Sequence, residues 1–126
     1  MTTQEIPRDQ WTPFLNQFSR QHEGWLVTLE VFAPDVGAQE EASDLPLAGI
    51  TIASGANEPE TIAINVGKSP EDHVTHTING PEHLWLEQTP EGADAALEIE
   101  SEGETKTLLR FRSPLPSEMV DGVVLD

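Results

Sequence analysis

The chain has 126 residues, with 23 acidic side chains against six basic ones and a formal net charge of −17. A surface this acidic repels phosphate backbones and anionic lipids, which sets aside nucleic-acid and membrane-surface partners. The chain has no cysteine, so disulfides, thiolate nucleophiles and cysteine-ligated metals are excluded.

The length fits one domain, residues 1–126, that buries about two-thirds of its unfolded surface. Hydrophobic content is low at 37%, but the apolar residues fall into periodic segments, the mark of a folded chain with a lean core. Met1 through Glu5 carries neither a basic nor an apolar leader segment. No apolar run approaches the roughly 20 residues that span a bilayer. The expectation is a soluble, cytoplasmic protein.

The acids recur in nearly every segment, from Glu40-Glu41 through Glu58, Glu60, Glu71-Asp72 and Glu98 to Glu104, while Lys68 and Lys106 are the only lysines. A charge this evenly spread reads as adaptation to molar salt, where the Debye length shrinks to about 3 Å and self-repulsion is screened. A binding patch would cluster its charge.

In chain order, Trp11, Phe14, Leu15 and Phe18 stand at i, i+3, i+4 and i+7 and predict a helix over about 9–22. Asp9 or Thr12 is its candidate N-cap, and Gly24 its stop. From Trp25 to Phe32 the pattern turns β-rich. Asp35 to Asp44 is polar and reads as a surface loop. Ala48–Ala53 and Thr61–Val66 are the next strands, the latter a candidate sheet edge because it carries few charges.

Four further strands, about 73–78, 82–89, 94–100 and 105–112, read as a meander. Pro81 has no N–H, so Asn79-Gly80 cannot close a two-residue hairpin. A three-residue loop is expected instead, placing Val74, Ile78, Leu84 and Leu86 on one face. Thr89-Pro90-Glu91-Gly92 predicts a type I turn. A loop at Ser101-Glu102-Gly103 would set Glu98 opposite Lys106 and Asp94 opposite Arg110. The tail, 113–126, is expected to form one helical turn near Glu118–Val120.

These elements define an α+β, mainly β fold. The N-terminal helix packs on an antiparallel, strongly curved sheet or small barrel of about seven strands spanning about 24–112. A two-sheet β-sandwich is the alternative.

The landmarks Ile6-Pro7-Arg8-x-x-Trp11, Phe14, Phe18, His22-Glu23-Gly24-Trp25, Leu45-Pro46-Leu47-Ala48-Gly49, Ala96 through Ser101 and Leu108-Leu109-Arg110-Phe111 occur in that order. The series resembles a family of small bacterial proteins known only as a domain of unknown function. The resemblance covers nearly the full chain and implies no activity and no site.

The residues themselves offer little chemistry. No Gly-x-Ser-x-Gly elbow is present, and Gly67-Lys68-Ser69 lacks the upstream glycine of a phosphate loop. His73 and His76, three apart on a strand, point to opposite faces, and the expected register also separates His76 from His83. A loose histidine–carboxylate metal site with Glu71, Asp72 and Glu82 is therefore disfavoured against solvent-facing strand histidines.

Glu30 alternates with apolar neighbours and is the acid whose surroundings matter, with a solvent-facing position the plainer reading. Trp85 shares the expected outer face with His83, Thr75 and Thr77. It is a partner anchor if exposed and core if the helix stripe covers it, the favoured reading.

The reading as a whole is a non-enzymatic protein acting through a protein partner or as a homo-oligomer, without cofactor or metal and with no catalytic residue. Trp85, His83, His76 and Glu30 are its candidate contact residues. The alternative is a small-molecule-binding β-barrel with weak enzymatic activity.

Overall fold

A computed structural model describes residues 2–55, 58–67, 71 and 73–112 of the protein. The expected turn near Glu118–Val120 and the Lys68-Ser69-Pro70 segment lie outside the described residues.

Helix α1 spans Trp11–Gln21, after a 3-10 turn at Arg8–Gln10. It buries Trp11, Leu15 and Phe18 along one face, each worth about 1.5–3 kcal/mol of transfer free energy. The N-cap position is Gln10, and no side chain caps the first turn, so neither Asp9 nor Thr12 plays that part. At the far end the His22 N–H donates to the Phe18 carbonyl at 3.1 Å, and Gly24 turns the chain at φ 87°.

The strands are β1 (Thr2–Glu5), β2 (Leu26–Ala33), β3 (Gly37–Gly55), β4 (Glu58–Gly67), β5 (His73–Asn79), β6 (Pro81–Gln88), β7 (Asp94–Ser101) and β8 (Thr105–Phe111). They form one antiparallel sheet in the order β1-β6-β7-β8-β2-β3-β4-β5. The mainly β, α+β expectation holds, with eight strands in place of about seven. Among the described residues the sheet is open, with β1 and β5 as its edges, so the barrel expectation is corrected.

The polar stretch expected as a loop is the first half of β3. Residues 37–46 pair with β2 and residues 47–55 with β4. β3 is nearly all exposed through this first half, with Ala42 its one buried residue there. Backbone pairing, not side-chain burial, holds it. The register skips residues of β3 between Ala42 and Leu45 and between Glu40 and Ala42, and Asp44 takes a positive φ of 53°. Such bulges bend and twist a strand, which lets one strand serve both halves of the sheet.

The last four strands are not a simple meander. β5 pairs with β4 over seven positions, and β6 pairs with β7 and β1. The expected β5–β6 pairing is absent among the described residues, because β5 finds a complete ladder elsewhere and Pro81 has no N–H to give. Gly80, at φ 62°, carries the chain between the two halves. Its N–H donates to the Glu60 carbonyl at 3.2 Å, and its carbonyl accepts from the Glu102 N–H at 3.3 Å.

Between β7 and β8 the loop is Glu102-Gly103-Glu104, one residue later than expected. Ser101 therefore pairs with Thr105, Glu100 with Lys106, and Ala96 with Arg110. The slip preserves the faces, so Leu97, Ile99, Leu109 and Phe111 still point inward. It changes the expected charge pairs: Lys106 lies 3.9 Å from Glu100, and Arg110 pairs with Glu30. The Thr89–Gly92 turn forms, closed by the Gly92 N–H on the Thr89 carbonyl at 2.9 Å.

One core cluster joins α1 to both halves of the sheet, with Leu29, Leu47, Ile62, Ile64, Leu84, Leu97 and Leu109 among its fully buried members. Thr61–Val66, the expected edge, lies inside β4 with a strand on each side.

Candidate functional site

The outer face of β6 carries two of the expected contact residues. His83 and Trp85 alternate outward from Leu84 and Leu86, which are buried. Their rings stack with centroids 5.2 Å apart. The Glu5 carboxylate reaches His83 Nδ1 at 2.8 Å from β1. That hydrogen bond raises the His83 pKa above its ordinary value, against desolvation and with help from the charges of Glu5, Glu100 and Glu82.

Trp85 is half-buried and stands outside the core cluster. The helix lies against β3 instead, so the favoured core reading of Trp85 is corrected. Glu98, opposite Trp85 on β7, has its pKa raised by burial, helped by the Glu87 and Glu100 charges and opposed by Lys106.

Glu30 shares this face on β2, where it is ion-paired with Arg110 and its side chain is 20% exposed. Two strands, β7 and β8, separate β2 from β6, which sets Glu30 roughly 14 Å from Trp85 at the usual inter-strand spacing. The two do not form one site.

His76 faces the other way, toward the interior side of β5. It is half-buried, with Nε2 3.4 Å from the Thr107 hydroxyl. Burial lowers its pKa despite the opposing pull of Glu41. A cleft of about 290 Å³ opens beside it, walled by Thr77, Asn79, Ser101, Glu102 and Thr105. His73 bonds only locally, to Thr75 at 3.0 Å, and no cluster of three metal-ligating side chains exists among the described residues.

The most buried titratable residue was not among the expected ones. His22, fully shielded from solvent, sits between α1 and the sheet. Its Nδ1 donates to the Phe18 carbonyl at 2.7 Å. Its Nε2 lies 3.3 Å from Asp94 Oδ2, an ion-pair distance without the alignment of a hydrogen bond. Phe18, Phe111 and Trp25 surround the ring, with centroids at 4.3, 4.6 and 4.8 Å.

Asp94 reaches it because the β6–β7 register skips Ala95: Glu87 faces Ala96, and Gln88 faces Asp94. Asp94 Oδ1 also accepts from Gln88 Nε2 at 2.9 Å. Burial pushes the Asp94 carboxyl up, but the His22 imidazole, Gln88 and the His22 charge together leave it below the usual aspartate value. A signal for His22 was present in the sequence: it stands four residues after Phe18 and continues the helix stripe. Nothing comparable announced Asp94.

With Nδ1 bonded to its own helix and Nε2 shut away from solvent beside Asp94, His22 presents no nitrogen to a substrate. A catalytic dyad needs one.

Fold and site together define a small α+β protein with an antiparallel sheet, open among the described residues, and a helix that carries a buried His–Asp pair at its end. No helix among the described residues is long and apolar enough to cross a membrane. The chain belongs to the family of unknown function DUF5335, whose model matches residues 2–120. It is 26% identical over 116 residues to an uncharacterized protein of Aquifex aeolicus (strain VF5), covering 92% of this chain and 97% of that one. The crystal structure of the Bacillus subtilis YojF protein aligns with 91% of this chain and 98% of its own, at 12% identity and a TM-score of 0.47.

Proposed function

We propose that the protein works without catalysis, through contacts with other protein chains, in a solvent of high ionic strength. The observation that carries this reading is the free side of β5. Among the described residues the strand pairs with β4 alone, and its sequence His-Val-Thr-His-Thr-Ile-Asn contains no lysine, proline or acid. Edge strands are ordinarily guarded by such residues. On a chain of net charge −17, a seven-residue edge without a carboxylate is where a second backbone can approach and add a strand.

Sedimentation across a range of protein and salt concentrations tests the self-associating form. The expected result is association that Thr77→Lys, on the exposed face of β5, abolishes. A strict monomer in which the β5 amides that face away from β4 exchange freely under every condition removes the reading.

The His76 cleft favours a second reading, a small uncharged ligand rich in hydroxyls. Its walls offer four hydroxyls, an amide, an imidazole and the Glu102 carboxylate within about 290 Å³, near the low end of ligand-pocket volumes. A titration with glycerol and simple monosaccharides, followed by amide shifts of Thr105 and Thr107, decides it. Unmoved shifts at saturating sugar end it.

A further inference from the structure

We propose that His22 and Asp94 hold one proton between them, and that this proton is the latch that keeps the end of α1 docked on the sheet. A carbonyl oxygen only accepts, so the 2.7 Å contact with Phe18 fixes a proton on His22 Nδ1. Nε2 then faces Asp94 Oδ2 at 3.3 Å. An unprotonated ring nitrogen and a bare carboxylate oxygen are both acceptors, and in a site closed to water they repel. The contact holds only with a proton between them.

The surroundings suit that proton. Aromatic faces attract a charged ring, and Phe18 from α1, Phe111 from β8 and Trp25 ahead of β2 enclose this one. Asp94 from β7 is the titratable group set against it, itself fixed by Gln88 of β6. Through Asp94 the ring therefore ties the end of α1 to β7, and through Gln88 to β6.

Removing that hydrogen as pH rises leaves two acceptors facing each other. The helix end lifts, and the cleft lined by Phe14, Gln17, Phe18, Gln21 and Asp94 widens to water. The protein thus converts a change in proton concentration into exposure of the Phe14/Phe18 face.

The test follows the His22 ring nitrogens and the amide protection factors of α1 by NMR over the same pH series. The expected result is that protection in the last turn of α1 falls roughly tenfold or more at the pH where Nε2 loses its proton. Protection that stays flat through the His22 titration overturns the latch. In Asp94→Asn the new amide donates to an unprotonated Nε2, so the step is expected to vanish while the helix stays docked. A step of unchanged size in that variant also overturns it. Should the variant not fold, the wild-type titration decides alone.

Discussion

The His83 ring lies 21° from parallel with Trp85, at a centroid separation of 5.2 Å. One edge of that imidazole is held by Glu5 at 2.8 Å, so a single side chain joins the N-terminal strand to the half-buried tryptophan. Because the His83 pKa is raised, the Glu5 contact contributes fully below the ordinary value near 6.5 and is lost as pH rises through the raised one.

Trp85 reports that loss directly. A protonated imidazole stacked on the indole quenches its fluorescence, so emission is expected to rise as His83 deprotonates, with Trp85→Phe giving the background from Trp11 and Trp25. Glu5→Gln is expected to move the midpoint to lower pH. An unchanged midpoint in that variant would show that Glu5 does not set the titration.

Glu98 carries the opposite sign. Its folded-state pKa is raised, chiefly by burial, so its charged form is disfavoured in the native protein and stability falls as pH rises from its ordinary value of 4.5 through the raised one. Glu98→Gln is therefore expected to raise the melting temperature at neutral pH and to leave it unchanged well below 4.5. A variant that melts lower at neutral pH would mean that the Glu98 charge contributes a contact worth more than its burial costs.

Leu97 is 0% exposed at the centre of β7, whereas Val36 is 57% exposed beside the start of β3. Leu97→Ala is expected to cost about 2–5 kcal/mol through lost transfer energy and a residual cavity. Val36→Ser stays within about 0.5 kcal/mol. Urea melts of the two variants check the contrast, and equal losses would misplace the core.

Salt separates screening from pairing. The described ion pairs are Arg8–Glu60, Lys106–Glu100, Arg110–Glu30 and Arg112–Asp44, together with two histidine pairs, and they engage few of the 23 acids. Exposed pairs are worth about 0–1 kcal/mol each. Relief of repulsion among the remaining carboxylates therefore outweighs their loss, and the melting temperature is expected to climb from dilute buffer to molar KCl. A flat or falling trend would remove the high-salt reading.

What the sequence showed depended on whether side-chain burial or backbone pairing did the work. The Trp11/Leu15/Phe18 stripe and the alternation at Leu84/Leu86 and Leu97/Ile99 were legible because apolar residues mark the buried face. The first half of β3 and all of β1 were not, since nearly every side chain there is exposed and only hydrogen bonds to a neighbour define the strand. The β7–β8 slip moved the loop by one residue and kept every face, so the pattern could not detect it. Of the site, Trp85 and His83 were visible as an outward pair. His22 was hidden in a helix end, and Asp94 depended on a skipped residue that leaves no mark in composition.

The place of β1 has a consequence for the chain as it is made. Thr2–Glu5 pairs with residues 85–88 of β6, and the Ile6 N–H is satisfied by the Leu84 carbonyl at 2.8 Å. Trp11, the first residue of α1, donates in turn to the Ile6 carbonyl at 2.9 Å. During synthesis, β1 therefore waits for the making of β6, roughly eighty residues further along the chain, before it has its strand partner. β1 thus closes through a contact of long sequence separation, the kind that is slow to form in folding.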